Sequence, residues 1–326
     1  MADRIGVLLA GILAMGGAST LCAQQPSFPA KPVRLVIPYP AGGAADLLAR
    51  TLGQKLTERW GQPLVIDNRP GANTIIGMEA VARAAPDGHT LIMATTAMAI
   101  NPSLYEKLPF DTRKDFAPVG NLVFASFLLL THPSVPVRDV KGLIALAKAR
   151  PGELTFGSGS TGSPTHLSGE LLKVLAGVDM VHVPYKGIAP AITDLIGGQL
   201  SMLFADPLPT MPHVKSGKLR GLAVSSLHRF PAAPDIPTLD ESGLKGYESG
   251  LWYGILAPAA TPAPVIEKLN GDFVRALGLP DVRERLTGIG TAIIGDTPTQ
   301  FGATIAADLA KWRDAIKRSA IPPLAR

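Results

Sequence analysis

Short apolar segments rich in β-branched residues alternate with longer segments of helical periodicity along most of this chain. Residues 33–39 predict a strand, and Ala44–Trp60 predicts a helix with Leu48, Leu52 and Leu56 on one face. This alternation is typical of α/β folds, because parallel strands need helical crossovers that return the chain to the same edge of the sheet. The sequence therefore predicts an α/β protein.

The same alternation continues to the C-terminus. Strands are predicted at 64–67, 90–94, 154–156, 180–183, 200–204 and 219–225, and helices at 75–84, 140–149, 165–175 and 189–196. Two long extended segments, 119–131 and 247–256, are expected to cross between two lobes. Two helices close the chain, one with Thr261 as N-cap and Pro262 in its first turn, the other with Thr297 and Gln300 forming a capping box.

The N-terminus has the pattern of an export signal. Arg4 precedes an apolar segment at 5–18 that is too short to span a membrane, and small residues lead to Ala23. We expect residues 1–23 to be a cleaved signal peptide and the mature protein to be periplasmic. Cleavage after Ala23 removes Cys22, the single cysteine, so disulfides and thiolate chemistry are not expected.

The formal net charge of +5 is modest, and the basic residues are dispersed. We therefore expect no nucleic acid partner, while a mildly positive surface favours collection of small anions. The six histidines lack metal-ligand spacing, and no nucleophile elbow, zinc-protease motif or P-loop occurs. We expect a monomer that binds without catalysis and without a cofactor.

Two loops of small residues carry the functional prediction. Each follows a predicted strand and leads directly into a helix, at residues 40–44 and 157–163. Free backbone N–H groups and the helix dipole make such a junction an anion site. Glycine permits close approach, and Ser and Thr hydroxyls add donors. Two such loops on opposing lobes are expected to hold a carboxylate between them.

An alternative interpretation of the second loop is a dinucleotide-binding site. Gly157, Gly159 and Gly162 form G-x-G-x-x-G after a strand, with Asp179 about 20 residues later. Asp179 precedes its strand, however, whereas a ribose-binding acid stands at the strand's end. The loop is also rich in Ser and Thr, and an exported protein has no access to the nicotinamide pool.

Four further residues are candidates for ligand contact. His166 follows the Ser/Thr loop, and Asp206 follows the strand at 200–204, where it could accept from an ammonium group or a water. Lys186 could offset a second carboxylate, with Tyr185 beside it. Trp252 and Tyr253 are interpreted as hinge packing.

Several segments together resemble the substrate-binding proteins of tripartite tricarboxylate transporters, the Bug family. They are residues 37–43, 46–50, 68–72, 85–91, 101–105, 114–119, 181–187 and 256–258. The resemblance extends from about Phe28 to the C-terminus. It implies a type II periplasmic-binding-protein fold, with two α/β lobes joined by two crossover segments and a ligand in the cleft. Lobe I is expected at 24–123 plus 250–326, and lobe II at 124–249.

The resemblance also implies carboxylated ligands: di- or tricarboxylates, acidic amino acids or aromatic acids. With the candidates above, the expected ligand-binding residues are Tyr39, Ala41, Gly42, Gly43, Thr95, Thr96, Ser158, Gly159, Ser160, Thr161, Ser163, His166, Tyr185, Lys186, Gly187 and Asp206. Many relatives carry Asp directly after the Phe of the strand at 200–204, whereas this chain has Ala205 and then Asp206. The expected partners are a small carboxylated metabolite and membrane transporter subunits. A sensor subunit for a membrane receptor, or a hydrolase or isomerase on the same scaffold, are the alternatives.

Overall fold

The computed structural model describes residues 28–230, 233–288, 291–319 and 321–324. The predicted signal peptide, 1–23, lies outside them. The strands are β1 Val33–Ile37, β2 Leu64–Asn68, β3 Thr90–Thr95, β4 Phe116–Ser126, β5 Leu128–Thr131, β6 Thr155–Ser158, β7 Val181–Pro184, β8 Met202–Ala205, β9 Arg220–Val224, β10 Gly250–Pro258 and β11 Thr291–Ile293. The helices are α1 Ala44–Trp60, α2 Ile75–Ala82, α3 Ala97–Leu104, α4 Val140–Ala149, α5 Pro164–Ala176, α6 Ile188–Ile196, α7 Pro207–Lys215, α8 Ala263–Leu277, α9 Pro280–Gly288 and α10 Pro298–Arg318.

The strands form two sheets, one in each lobe. The first has the order β11-β4-β10-β3-β1-β2 and the second β7-β6-β8-β5-β9. The prediction of parallel strands is confirmed for β1 with β2 and β3, and for β6 with β7 and β8. It is wrong for β10 and β5, which run antiparallel to their neighbours. These two strands follow the connections between sheets, so they enter from the opposite direction.

Two segments connect the sheets side by side. β4 ends in the first sheet at Ser126, and β5 begins in the second at Leu128, with only Phe127 between them. The return leads from β9 to β10, whose first residue, Gly250, pairs with Ser126. The Ser225 hydroxyl accepts from the Phe127 N–H (2.8 Å) and donates to the carbonyl of Ser249 (2.6 Å), so it links both crossings.

The carboxyl ends of the parallel strands face the connections between the lobes. Tyr253 on β10 pairs with Thr95, the last residue of β3, which places both near the crossing point. In the second sheet Leu128, which opens β5, pairs with Ala205 at the end of β8. The loops that follow β1, β3, β6 and β8 therefore border one cleft between the sheets.

Apolar packing fixes each lobe and also joins them. One cluster buries Leu48 and Phe273 beneath the first sheet, and another buries Leu195 and Leu203 in the second. A third runs through both lobes and includes Phe127. α10 extends this shared core, because it packs on α3 in the first lobe and on α5 in the second.

Four elements were not predicted: α3, α7, α9 and β11. α3 and α7 each contain an internal proline, at Pro102 and Pro212. Because proline is unfavourable inside a helix, the sequence did not indicate helices there. The capping box of Thr297 and Gln300 is confirmed. The prediction of Thr261 as N-cap is wrong: α8 has Pro262 there, and the Thr261 hydroxyl donates to the carbonyl of Pro258 (2.7 Å).

Candidate functional site: a cleft between two loop–helix junctions

The loop between β1 and α1 is exposed, and the carboxylate of Asp46 stabilises it through a hydrogen bond. Gly42 has a φ of +87°, a conformation that favours glycine, and its N–H donates to Asp46 Oδ2 (3.0 Å). Asp46 also accepts two hydrogen bonds from Arg50 (2.8 and 3.1 Å) and one from Asn68 (3.1 Å). The Arg50 guanidinium is the main cause that lowers the pKa of Asp46 to about 2.

This arrangement decides which donors of the first loop face the cleft. The Gly42 N–H is already bonded to Asp46, so it is not a free donor. The N–H groups of the first turn of α1, from Ala44 onward, lack intrahelical acceptors and lie beside exposed Ala41 and Gly43. Because Arg50 neutralises Asp46, the carboxylate in the first helical turn does not cancel the positive end of the dipole.

The second loop, between β6 and α5, is a network of hydroxyls around one carbonyl. The carbonyl of Ser160 accepts from the hydroxyls of Ser158 (3.0 Å) and Ser163 (2.7 Å). Ser163 also caps α5 by accepting from the His166 N–H (3.3 Å). The side chains of Ser160 and Thr161 are exposed and make no hydrogen bond with any described residue, so their hydroxyls are available to a ligand.

His166 lies beneath this loop, not at its surface. It is 3% exposed, and its Nδ1 accepts from the Gly162 N–H (3.0 Å). Its ring stacks on that of His182 with 3.6 Å between centroids, and His182 Nε2 lies 2.7 Å from Ser158 Oγ. Burial, with the adjacent His166 as a second cause, lowers the pKa of His182 to about 4. His166 thus supports the loop from within, and its contact with a ligand stays a prediction.

The loop after β7 braces the second loop from the side. The Gly187 N–H donates to the carbonyl of Gly159 (2.8 Å), and Gly187 has a φ of +104°. The Tyr185 hydroxyl donates to Asp194 (2.7 Å), and burial followed by this bond raises the pKa of Tyr185 to about 12. Tyr185 therefore orients α6 with its hydroxyl, whereas Lys186 is exposed.

The floor of the cleft carries polar groups from both lobes. The hydroxyls of Tyr39 and Thr95 are 2.7 Å apart. Burial raises the pKa of Tyr253, and the nearby Tyr39 and Asp206 raise it further, which places all three groups in one electrostatic environment. Burial also raises the pKa of Asp206, whose half-buried carboxylate has no side-chain partner among the described residues.

Tyr253, interpreted from the sequence as hinge packing, is 7% exposed and packs in the core of the first lobe. The pairing of β10 with β3 also sets it opposite Thr95, at the end of the strand that leads to the cleft. Thr96, by contrast, was expected at the ligand. Its hydroxyl donates to the carbonyl of Gly250 (3.1 Å) and accepts from the Trp252 N–H (3.1 Å), so the hydroxyl ties β3 to the returning crossover strand.

Comparison with known proteins identifies the family. The family described as tripartite tricarboxylate transporter family receptor matches residues 48–321. The chain belongs to this family. Among the relatives of this receptor, BugT of Bordetella pertussis is 33% identical over 97% of this chain and 96% of its own. A UPF0065 protein of the tcbD-tcbE intergenic region of Pseudomonas sp. strain P51 is 36% identical over 95% of this chain and 93% of its own.

Two solved structures of similar proteins contain small carboxylates. A protein of R. palustris with adipate superimposes on this receptor with a TM-score of 0.77 at 36% identity, covering 91% of this chain and all of its own. MatC of Rhodopseudomonas palustris, with bound malate, gives a TM-score of 0.73 at 33% identity, with 89% and 100% covered. The family and these neighbours confirm the two-lobe fold of the periplasmic binding proteins.

The dinucleotide interpretation finds no support in the receptor's geometry. Gly157 lies within β6, where an added Cβ would approach Leu200 at 2.6 Å, so it serves strand packing. Asp179 precedes β7, and its Oδ1 forms an ion pair with Lys173 Nζ at 4.0 Å. Within the described residues, no group of three His, Cys, Asp or Glu side chains is placed to hold a metal ion, and no helix is long and apolar enough to span a bilayer.

Proposed function

We propose that this receptor is exported to the periplasm, binds a small carboxylate in the cleft and presents it to the membrane subunits of a tripartite transporter. The proposal includes cleavage after Ala23. It also includes the lobe boundaries given above, at 24–123 plus 250–326 and at 124–249, with β4 continuing the first sheet to Ser126 before the crossing at Phe127. Binding requires no catalytic group, so the protein is proposed to release its ligand unchanged.

One observation carries the proposal: two exposed loop–helix junctions border the same cleft from opposite lobes. The junction at α1 presents the free N–H groups of the first helical turn, beginning at Ala44. The junction at α5 presents the positive end of the helix dipole and the exposed hydroxyls of Ser160 and Thr161, because Pro164 has no N–H and the His166 N–H is bonded to Ser163. A helix N-terminus attracts an anion through its dipole and its unpaired donors. A dicarboxylate has one anionic group for each junction. Adipate and malate, found in similar proteins, are both dicarboxylates.

The proposed contact set is narrower than the one expected from the sequence. Ala41, Gly43, Ser160, Thr161 and Lys186 are exposed and are proposed to line the cleft, with Tyr39, Thr95 and Asp206 proposed at its floor. Ser158, Ser163 and Tyr185 have hydroxyls engaged within the protein, so they are proposed to position the donors. Asp206, raised in pKa and unpaired, is proposed to accept from a ligand hydroxyl, an ammonium group or a bridging water.

Valine substitution in each loop tests the proposal. An added Cβ at Gly43 has only the carbonyl of Pro40 nearby, at 3.8 Å, and at Gly159 its nearest neighbour is the Ile188 nitrogen at 3.5 Å. Valine at Gly43 would therefore occupy open space beside the first junction. Valine at Gly159 would press on the backbone of Gly187 and Ile188 and displace the second loop from its binding position. We expect Gly43→Val and Gly159→Val each to weaken binding of adipate or malate by at least about tenfold, the loss of roughly one charge-assisted hydrogen bond.

Native mass spectrometry of protein purified without refolding first identifies the retained ligand, and calorimetry then measures its affinity. Gly271→Val is the matched control, because Gly271 is exposed on α8 and nothing lies within 4 Å of an added Cβ. Undiminished affinity in both loop variants, with melting temperatures close to that of the unmodified protein, would refute the two-loop site.

A further inference from the structure

A second cavity lies on the other side of the crossover strands from the ligand loops. In the first sheet, β4 and β10 stand between the edge strand β11 and the strands β3 and β1 that carry the cleft. The cavity has a volume of about 380 Å³ and is lined from β4, β10, β11, α10 and the segment that follows β9. It is therefore distinct from the carboxylate site.

Its walls are largely apolar and aromatic. Phe124 and Trp252 come from the two crossover strands, and Phe230 comes from the segment after β9. Leu227 and Ile294, which are 46% and 44% exposed, border it. Large exposed apolar side chains around a concave surface mark a binding site more often than they mark an ordinary surface.

Its amide and carboxylate oxygens are only partly supplied with donors, since Asp296 Oδ1 accepts from the Asn121 backbone N–H (2.7 Å). Asn121 is 5% exposed, and its Oδ1 has no hydrogen-bond partner among the described residues. Glu248 and Asp296 are half-buried, and neither forms an ion pair with any described residue. Burial raises the pKa of both carboxyl groups, and this effect exceeds the opposing effects of Lys311 on Glu248 and of the Asn121 N–H on Asp296.

The cations that border the cavity already have partners. Lys311 pairs with Asp308 (2.6 Å), and Asp308 also accepts from the Trp252 indole N–H (2.8 Å). Arg229 pairs with Glu241 (2.9 Å). The cavity therefore keeps an excess of negative charge and of unused acceptors beside aromatic surface.

We propose that this cavity binds an apolar organic ammonium ion. Such a ligand brings N–H donors for the Asn121 oxygen and a positive charge for Glu248 and Asp296. Its hydrocarbon body would contact Phe124 and Trp252, whose ring faces also attract cations. Ser126 and Gly250, at the ends of the crossover strands, line the cavity as well, so its occupant contacts the connection between the lobes.

Phenethylammonium is the probe, and 2-phenylethanol, which has a similar shape and no charge, is its matched control. Calorimetry on the full mature protein should show phenethylammonium binding at least about tenfold more tightly than the alcohol. Glu248→Gln preserves the shape of the side chain and should abolish most of that preference, whereas Glu153→Gln, an exposed position on another surface, should not change it. Asn121→Leu should weaken binding of the ammonium ion more than binding of the alcohol, because the alcohol hydroxyl offers Asn121 Oδ1 a single, uncharged donor.

Two further outcomes separate this site from the carboxylate cleft. Asp206→Asn and Gly43→Val should leave phenethylammonium binding unchanged, and Glu248→Gln should leave carboxylate binding unchanged. Equal affinity for the ammonium ion and the alcohol, full ammonium binding in Glu248→Gln, or loss of ammonium binding in Asp206→Asn would each overturn the proposal.

Discussion

At the scale of single residues, Asp46 organises the first loop. Asp46 and Arg50 are four residues apart on α1, so their side chains lie on one face of the helix and form an ion pair (2.8 Å). The bonds from Gly42 and Asn68 could not be predicted, because they depend on β2 ending beside the start of α1. The side chain of Asp46 is 5% exposed, so this network is shielded from water.

Replacing Asp46 by Asn should lower the free energy of unfolding by about 1–2 kcal/mol at pH 7, since Arg50 is 56% exposed and screening reduces the pair's contribution. The pKa of Asp46 is lowered from 3.8 to about 2 in the folded state. Its stabilisation is therefore fully present above pH 3.8 and is lost as the pH falls through 2. Urea denaturation of both proteins at several pH values measures how the difference in their free energies of unfolding depends on pH. A difference between the two proteins that stays constant from pH 5 to pH 2 would contradict the assignment.

His182 should make stability depend on pH in a different window. Its pKa is lowered from 6.5 to about 4, so the unfolded chain binds the proton more readily. Stability attributable to this residue is complete above about pH 6.5 and declines as the pH falls toward 4. The loss should approach about 3 kcal/mol at most. His182→Gln keeps a polar group near Ser158 and should show a shallower decline in urea denaturation between pH 7 and 4.5.

At the scale of elements, the glycines of the second loop have separable roles. Gly162 has a φ of +75°, and a Cβ there would collide with Leu104 of α3, in the other lobe. Gly162→Ala should therefore lower the free energy of unfolding by about 1–3 kcal/mol. Gly159→Ala, with only ordinary contacts at 3.5 Å or more, should change it by less than about 1 kcal/mol. Chemical denaturation compares them directly, and equal losses would mean that the loop packing is misassigned.

The sequence predicted the helices with clear periodicity and caps to within a few residues. α1 and α4 have the predicted bounds, because apolar spacing and terminal signals agree there. α3 and α7 were not predicted because an internal proline is locally unfavourable in a helix. Tertiary packing stabilises both helices in spite of the proline. The ligand loops were predictable as local patterns. The proposed cleft floor was not, because Tyr39 and Tyr253 are brought near each other by the order of the first sheet, and Asp206 comes from the other lobe.

At the scale of the molecule, the two crossings define the axis on which the lobes can turn. Strand connections of this kind bend at a few residues without unfolding either core. Phe127 is the single residue between β4 and β5, and Ser225 and Ser249 hold the return segment beside it. The shared core along α10 confines the motion, because it ties the lobes together on one side. The expected movement is therefore a rotation that narrows the cleft.

Ligand should close this cleft and make the protein more compact. Only a closed form brings the helix N-termini of both α1 and α5 to one dicarboxylate, and this differential contact is what shifts the population. The hydrogen bonds gained, at roughly 1.5–3 kcal/mol each before ordering costs, exceed a gap of a few kcal/mol between open and closed forms. X-ray scattering with saturating adipate or malate, whichever calorimetry shows to bind, should give a smaller radius of gyration than the ligand-free protein. Gly43→Val should lose the contraction at the same ligand concentration, and Gly271→Val should keep it. An unchanged scattering curve in the unmodified protein at full occupancy would mean that the two junctions already stand at their binding distance without ligand.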